Sequence, residues 1–152
     1  MNEIHKMAGH MIRRLNQISL AVFAERMARE GFDLTPVQFA ALTGIEATPG
    51  IDQATLAGTI AYDRVTIGGV LDRLEAKGLV RRSVSKRDRR ARQLHLTETG
   101  QKVLSSVTPI VRDLQGEILA GLDRSERARF LELMEKLIAS RSPRSGAMPG
   151  SD

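Results

Sequence analysis

The stretch Asp63–Leu96, DRVTIGGVLDRLEAKGLVRRSVSKRDRRARQLHL, decides the fold. Its first half has a helical pattern from Arg64 to Lys77, with Val70, Leu71 and Leu74 on one side and Gly78 as a left-handed stop. Its middle, Arg81 to Arg92, holds seven Lys/Arg against one Asp, a local charge of +6 in a chain whose total is +5. The rest of the chain is therefore close to neutral, and the basicity is concentrated in one segment. At its end, Leu94 and Leu96 alternate as strand residues do, so Leu79-Val80 and Gln93–Leu96 are expected to pair around a polar tip at Ser85–Arg90. A helix beside a basic hairpin is a way to grip duplex DNA, and the localised charge points to a polyanion.

On the N-terminal side, Asp52 is placed to cap a short helix through about Thr59, with Leu56 and Ala57 facing inward. Ala61-Tyr62 leaves room for a tight turn before Asp63, and two short helices joined this way make a helix-turn-helix. Thr35-Pro36-Val37-Gln38 is a capping box with proline at the first helical position, which predicts a helix from about Pro36 to Glu46. Before it, Ile4, Ala8, Met11, Leu15, Ile18 and Val22 recur at steps of four and three, predicting one long amphipathic helix from Ile4 to Arg29, ended by Gly31.

On the C-terminal side, Thr97-Glu98 opens a long helix with Val103, Val107, Ile110, Val111, Leu114 and Ile118 at helical period, stopped by Gly121. Asp123-Arg124-Ser125-Glu126 is a second capping box, before a helix whose stripe is Phe130, Leu133, Met134 and Leu137. The composition turns to Ser, Pro, Gly and charge from Ser140, so residues 141–152 are expected to be a flexible tail.

The expected class is mainly α with a small β-hairpin wing. A winged helix-turn-helix spans residues 33–97, flanked by a helical dimerisation region made of residues 1–32 and 98–140. The end helices share no obvious core with the middle, and each carries an apolar stripe that needs a partner. A homodimer is the simplest way to cover both.

Composition excludes several functions. The chain has 152 residues, 41% hydrophobic but only 3% aromatic, enough for one domain with an aliphatic core. With no cysteine there is no disulfide, thiolate metal site or thiol redox sensor. His5, His10 and His95 do not have metal-ligand spacing, and no phosphate loop, nucleophile elbow or paired-carboxylate motif is present. An enzyme, a metal and a cofactor are accordingly not expected. No signal-like segment precedes Arg13 and no apolar run reaches about 18 residues, so a cytoplasmic protein without a membrane partner is expected.

A recognition helix sets its N-terminal residues against base edges in the major groove, which nominates Arg64, Thr66, Ile67 and Arg73. Arg64 can fork to a guanine, and Thr66 or Ile67 can meet a thymine methyl. Asp63 reads either as a groove residue or simply as an N-cap. Gly68 and Gly69 each cost about 1 kcal/mol relative to alanine inside a helix, in exchange either for close approach to DNA or for small-residue packing. In the wing, Arg89 and Arg90 can enter a narrow minor groove, while Arg81, Arg82, Lys86 and Arg87 can meet phosphates.

Leu71–Val80 (LDRLEAKGLV), Asp88-Arg89-Arg90 and then Leu96-Thr97 together resemble the MarR family of bacterial winged helix-turn-helix regulators. Leu34-Thr35-Pro36 and Thr97-Glu98-Thr99-Gly100 also match, and the likeness covers about residues 5 to 140. The resemblance implies a homodimer with interlocked end helices, reading a near-palindromic operator in double-stranded DNA. It makes Arg90 the wing arginine and Asp88 the partner that orients it. It further implies a repressor released by a small molecule bound near the first, second and fifth helices, where His10, Met11, Arg14 and Phe39 are candidates. The implied effector is a small aromatic acid, a phenol, or a CoA thioester of such an acid. Peroxide-sensing relatives need a reactive cysteine, which this chain lacks. The competing reading is an architectural or RNA-binding winged-helix protein without a small-molecule response.

Overall fold

A helix leaves backbone N–H groups free at its start, and in this chain most helices begin where a preceding side chain can accept from one of them. In the structure, a computed structural model, residues 2–87 and 91–141 are described, so Asp88, Arg89, Arg90 and the tail from residue 142 lie outside the described residues. The first helix, α1 (Ala8–Glu30), is the exception, because Met7 caps it with no side-chain bond. The expected single helix from Ile4 is divided there: Glu3–Lys6 form a 3-10 turn, and Met7 stands extended at ψ 134°. Gly31, at φ 80°, ends α1, with the Phe32 N–H donating to the Met27 carbonyl at 2.8 Å.

Helix α2 (Pro36–Ala47) opens on the expected capping box: Thr35 Oγ1 accepts from Gln38 N at 3.2 Å, and Gln38 Oε1 accepts from Thr35 N at 3.2 Å. Asp52 caps α3 (Gln53–Thr59) and Asp63 caps α4 (Arg64–Ala76). Past Gly78, at φ 74°, the chain enters β1 (Val80–Val84), which pairs antiparallel with β2 (Arg92–Leu96). Val80 stands opposite Leu96 and Val84 opposite Arg92. The free edge of β2 is also paired: Gly50 N donates to the Leu94 carbonyl at 2.8 Å and Leu94 N to the Ile51 carbonyl at 3.0 Å.

Thr97 joins the wing to α5 (Glu98–Ile118). Its hydroxyl donates to the Gly78 carbonyl at 2.6 Å and accepts from Gly100 N at 2.9 Å, while its own N–H donates to the Leu79 carbonyl at 3.1 Å.

The buried side chains form one cluster. Phe23 and Met27 of α1 meet Leu42 and Ile45 of α2, Leu56 of α3, Ile67, Leu71 and Leu74 of α4, Leu94 of β2, and Leu104, Val107 and Leu114 of α5. The expectation that the end helices share no core with the middle is therefore wrong for α1 and α5. The physical reason is that Phe23 and Met27, four residues apart, form a second apolar face on α1. Most of the stripe that gave the helical period stays exposed, at 44% for Ile4 and Leu15, 46% for Ile18 and 52% for Met11, and only Val22 at its end packs against the core.

The chain divides into two compact units, Met1–Ile118 and Leu119–Asp152. Helix α6 (Arg124–Arg141) belongs to the second and opens on the expected capping box, with Glu126 N donating to Asp123 Oδ1 at 2.9 Å and Asp123 N to Glu126 Oε1 at 3.0 Å. Phe130 and Met134 are half-buried, and Leu133 and Leu137 are exposed. No helix among the described residues is long and apolar enough to cross a membrane.

Candidate nucleic-acid interface

Helices α3 and α4 are set against each other by a short turn in which Tyr62 N donates to the Ala57 carbonyl at 2.9 Å and Ala61 takes a φ of 60°. Gly44 of α2 lets α3 sit close behind them, since a Cβ there would stand 2.6 Å from Leu56 Cδ1 and the leucine would have to shift. At the front, Gln53 Nε2 donates to the Arg64 carbonyl at 3.5 Å, tying the first turns of α3 and α4 together.

Both first turns use the same cap. Asp63 accepts from Thr66 N at 2.8 Å and from Thr66 Oγ1 at 2.7 Å, and Asp52 accepts from Thr55 N and Thr55 Oγ1, each at 2.8 Å. These bonds, the backbone N–H first, hold both carboxyls below the usual carboxylate range. Asp63 is thus an N-cap, and both of its oxygens are engaged in that role. Thr66 is exposed, but its hydroxyl is donated to Asp63.

Of the nominated groove residues, Arg64 lies where the sequence places it and Ile67 does not. Arg64 is exposed on the first turn of α4. Ile67 is fully buried at 0% exposure, which removes it from the DNA-facing set. Its position explains this, being three and four residues before Val70 and Leu71 and so on the face that packs inward. The exposed aliphatic residue is instead Val65, at 87%. Arg73 is exposed near the C-terminal end of α4, away from the first turn.

A cleft of about 640 Å³ lies between the first turns of α3 and α4 and the wing, lined by Asp52, Gln53, Ala54, Arg64, Arg82, Ala91 and Arg92. Arg64 and Arg92 against Asp52 leave its lining cationic even with Arg82 paired to carboxylates of α4. Sequence alone does not single out Arg92, Gln53 or Ala54. Arg92 is simply the last member of the basic run until its place opposite Val84 on β2 brings it back to the cleft.

The expected phosphate contact Arg82 has another task. Its guanidinium pairs with Asp72 and lies 3.6 Å from Glu75, both on α4, and its side chain is only 13% exposed. Alternation along β1 puts Arg82 on the same face as the buried Val80, which packs toward α4, and turns Arg81 outward. Arg82 therefore clamps the wing to the helix instead of reaching outward. Arg81, Lys86 and Arg87 are exposed. Arg89 and Arg90, expected to enter a minor groove, and Asp88, expected to orient Arg90, lie outside the described residues.

Gly68 and Gly69 divide between the two readings left open. A Cβ on Gly68 would stand 3.2 Å from Gln53 Nε2, a packing contact with α3, whereas one on Gly69 would meet nothing within 4 Å.

The far end of α4 is held as well. Lys77 Nζ donates to the Asp33 carbonyl and, at 3.2 Å, to Oε1 of the buried Gln38, fastening α4 to the joint between α1 and α2. Arg26 of α1 binds Asp113 and Glu117 of α5 at 2.8 Å each, and Asp113 in particular raises its pKa above the ordinary value.

The four candidate effector contacts are not brought together within one chain. Phe39 packs against Phe23 with ring centroids 6.4 Å apart. The His10 ring stands edge-on to His5 at 5.1 Å, and Met11 and Arg14 are exposed beside it. From His10 to Phe23 the helix axis runs about 20 Å at 1.5 Å per residue.

Three comparisons bear on this arrangement. The MarR family model matches residues 34–91, the segment that contains α2, the helix-turn-helix and the first strand of the wing. The chain is 35% identical over 131 residues to the transcriptional regulator HosA of Escherichia coli O127:H6, covering 86% of this chain and 94% of HosA. Among solved structures, Bordetella bronchiseptica BpsR, described as regulated in DNA binding by 6-hydroxynicotinic acid, superposes with a TM-score of 0.83 at 25% identity, over 94% of this chain and 99% of BpsR. A cysteine-to-serine mutant of E. coli MarR in complex with operator DNA superposes with a TM-score of 0.80 at 26% identity, over 90% of this chain and 99% of that one.

Proposed function

The chain belongs to the MarR family of transcriptional regulators, and on that premise we propose that it is a homodimeric, sequence-specific DNA-binding repressor released from its operator by a small aromatic acid, a phenol or an aromatic acyl-CoA. The observation that carries the DNA reading is the alignment of Arg64 on the first turn of α4 with Arg92 of the wing on one cationic cleft, beside the exposed Arg81, Lys86 and Arg87. Arg64 is the base reader, and the outward wing residues are phosphate contacts. Arg89 and Arg90 enter the minor groove, with Asp88 orienting Arg90. Arg82 acts through α4.

The homodimer reading is supported by the apolar stripe of α1, with Ile4, Met11, Leu15 and Ile18 exposed, and by Leu133 and Leu137 on α6. Residues 1–32 and 98–140 then supply the dimerisation helices. Two recognition helices related by a two-fold axis read two half-sites of a near-palindrome about one helical turn apart. Effector binding is supported by the response of BpsR to 6-hydroxynicotinic acid. Because one chain separates His10, Met11 and Arg14 from Phe39, an effector site using all four draws them from both copies. No catalytic step is assigned to the chain, and its place of action is the cytoplasm.

The test is selection from random-sequence duplex DNA, followed by competition with scrambled DNA and structured RNA. Enrichment of an inverted repeat supports the regulator. Equal retention of scrambled DNA, or preference for RNA, would replace it with an architectural or RNA-binding role. Aromatic acids, phenols and aromatic acyl-CoA esters are then screened for a rise in melting temperature and for release of the selected duplex.

A further inference from the structure

Among the described residues, nearly all large apolar side chains exposed on this protein lie on α1 or α6, or at the 3-10 turn before α1; the exceptions are Tyr62, Val65 and Val84. Val65 is the most exposed of all, at 87%. It stands at the second position of α4, directly after Arg64, and no packing need accounts for it. A lone exposed aliphatic side chain is ordinary on a protein surface; what sets Val65 apart is its place beside Arg64, on the end of α4 that a recognition helix turns toward base edges.

The surface around Val65 narrows what it meets there. On a helix the neighbours of residue 65 are residues 68 and 69, which are both glycines. Gly68 is occupied by packing against Gln53, and Gly69 faces open space. This face of α4 therefore presents one aliphatic knob followed by bare backbone, with the Arg64 guanidinium at its edge. A flat, side-chain-free surface lets a helix approach a groove wall closely. The apolar group that a major groove offers at such a surface is the 5-methyl of thymine.

We infer that Val65 is a specificity-determining residue that reads a thymine methyl in each half-site, and that Gly69 is kept bare to bring it there. This rests on the DNA-reader function proposed above, which assigned base reading to Arg64 alone.

The experiment uses the full chain and the duplex that it selects from random DNA. Each thymine of a half-site is replaced in turn by deoxyuridine, which removes the methyl and keeps the base pair. At one thymine per half-site the wild type is expected to lose about fourfold in affinity, the worth of one buried methyl. Val65→Ala, which changes both copies of the dimer, should lose about the square of that factor, roughly 16-fold, on the thymine duplex, and should then be indifferent to deoxyuridine at that position. Its melting temperature should not fall, since the side chain supports nothing in the fold and alanine is the better helix former. Methyl removal without effect at every thymine, or a Val65→Ala protein as sensitive as wild type, would overturn the assignment while leaving the regulator reading intact. A pool that enriches no sequence would overturn both.

Discussion

Gly100 lies directly against Leu79: a Cβ at position 100 would overlap the Leu79 carbonyl oxygen and stand 2.9 Å from its carbonyl carbon. The obstacle is backbone, already bonded to Thr97 N, so it has no rotamer with which to retreat. Gly100→Ala should therefore cost about 3 kcal/mol, the upper part of the range for overpacking, or prevent folding. Gly69→Ala is the control, because its Cβ enters open space. It should raise stability by about 1 kcal/mol. Urea unfolding of both variants separates them; equal effects would contradict this account of Gly100.

Arg82 and Arg81 are adjacent in sequence and opposite in task, and salt tells them apart. Each phosphate neutralised contributes about 0.9 to the log–log salt slope of binding. Arg81→Ala should flatten the slope by about 0.9 per protomer if its outward guanidinium meets a phosphate. Arg82→Gln should weaken binding with the slope retained, because its charge is spent on Asp72 and Glu75. A flatter slope for Arg82→Gln would return it to the phosphate contacts.

The twin caps predict an acid response. Asp52 is held below the usual carboxylate range in the folded chain, chiefly by Thr55 N–H. Its contribution is then fully present above the unfolded value of about 3.9 and is lost as pH falls through the lower folded value. Asp52→Ala should cost about 1 kcal/mol at neutral pH, and Asp52→Asn less, since the amide oxygen still caps. The gap between wild type and Asp52→Ala should close on going well below about pH 4, as read by urea unfolding in parallel buffers.

If the stripe on α1 and the apolar residues of α6 pair with a second copy, a charge placed on either should separate the copies. Leu15→Glu and Leu137→Glu should each shift sedimentation toward the 16.7 kDa single chain at micromolar concentration. The helix-turn-helix should stay folded by circular dichroism, since neither side chain belongs to the core cluster.

What sequence reveals here depends on how local the cause is. The boxes at Thr35 and Asp123, the caps at Asp52 and Asp63, and the stop at Gly78 are settled within four residues, and each is legible. The break at Met7 is not, because the apolar stripe runs straight through it and Gly9, two residues on, lies inside α1 and not at the break. Nearness to the helix start favours Ile67 as a groove residue, but the period of Val70 and Leu71 outweighs it, setting Ile67 inside and leaving Val65 outside. Arg82 requires knowledge of a partner across the fold: its tie to Asp72 joins residues ten apart on a helix and a strand. The core shared by α1 and α5 is hidden because Phe23 and Met27 lie off the face that gives the helical signal.

The knot at Thr97 has a mechanical consequence. One hydroxyl holds the end of α4, through the Gly78 carbonyl, and the first turn of α5, through Gly100 N, at the root of the hairpin. The hairpin is thus anchored at its root by Thr97 and braced again partway out, where Arg82 is tied to α4 and Leu94, opposite it, is paired with Gly50 and Ile51. Only two residues of strand, roughly 7 Å, run from that brace to Val84, so a tilt of roughly 10° there moves the strand end by roughly 1 Å. The aim of the wing is therefore set jointly by α4 and α5, the two helices that Thr97 links.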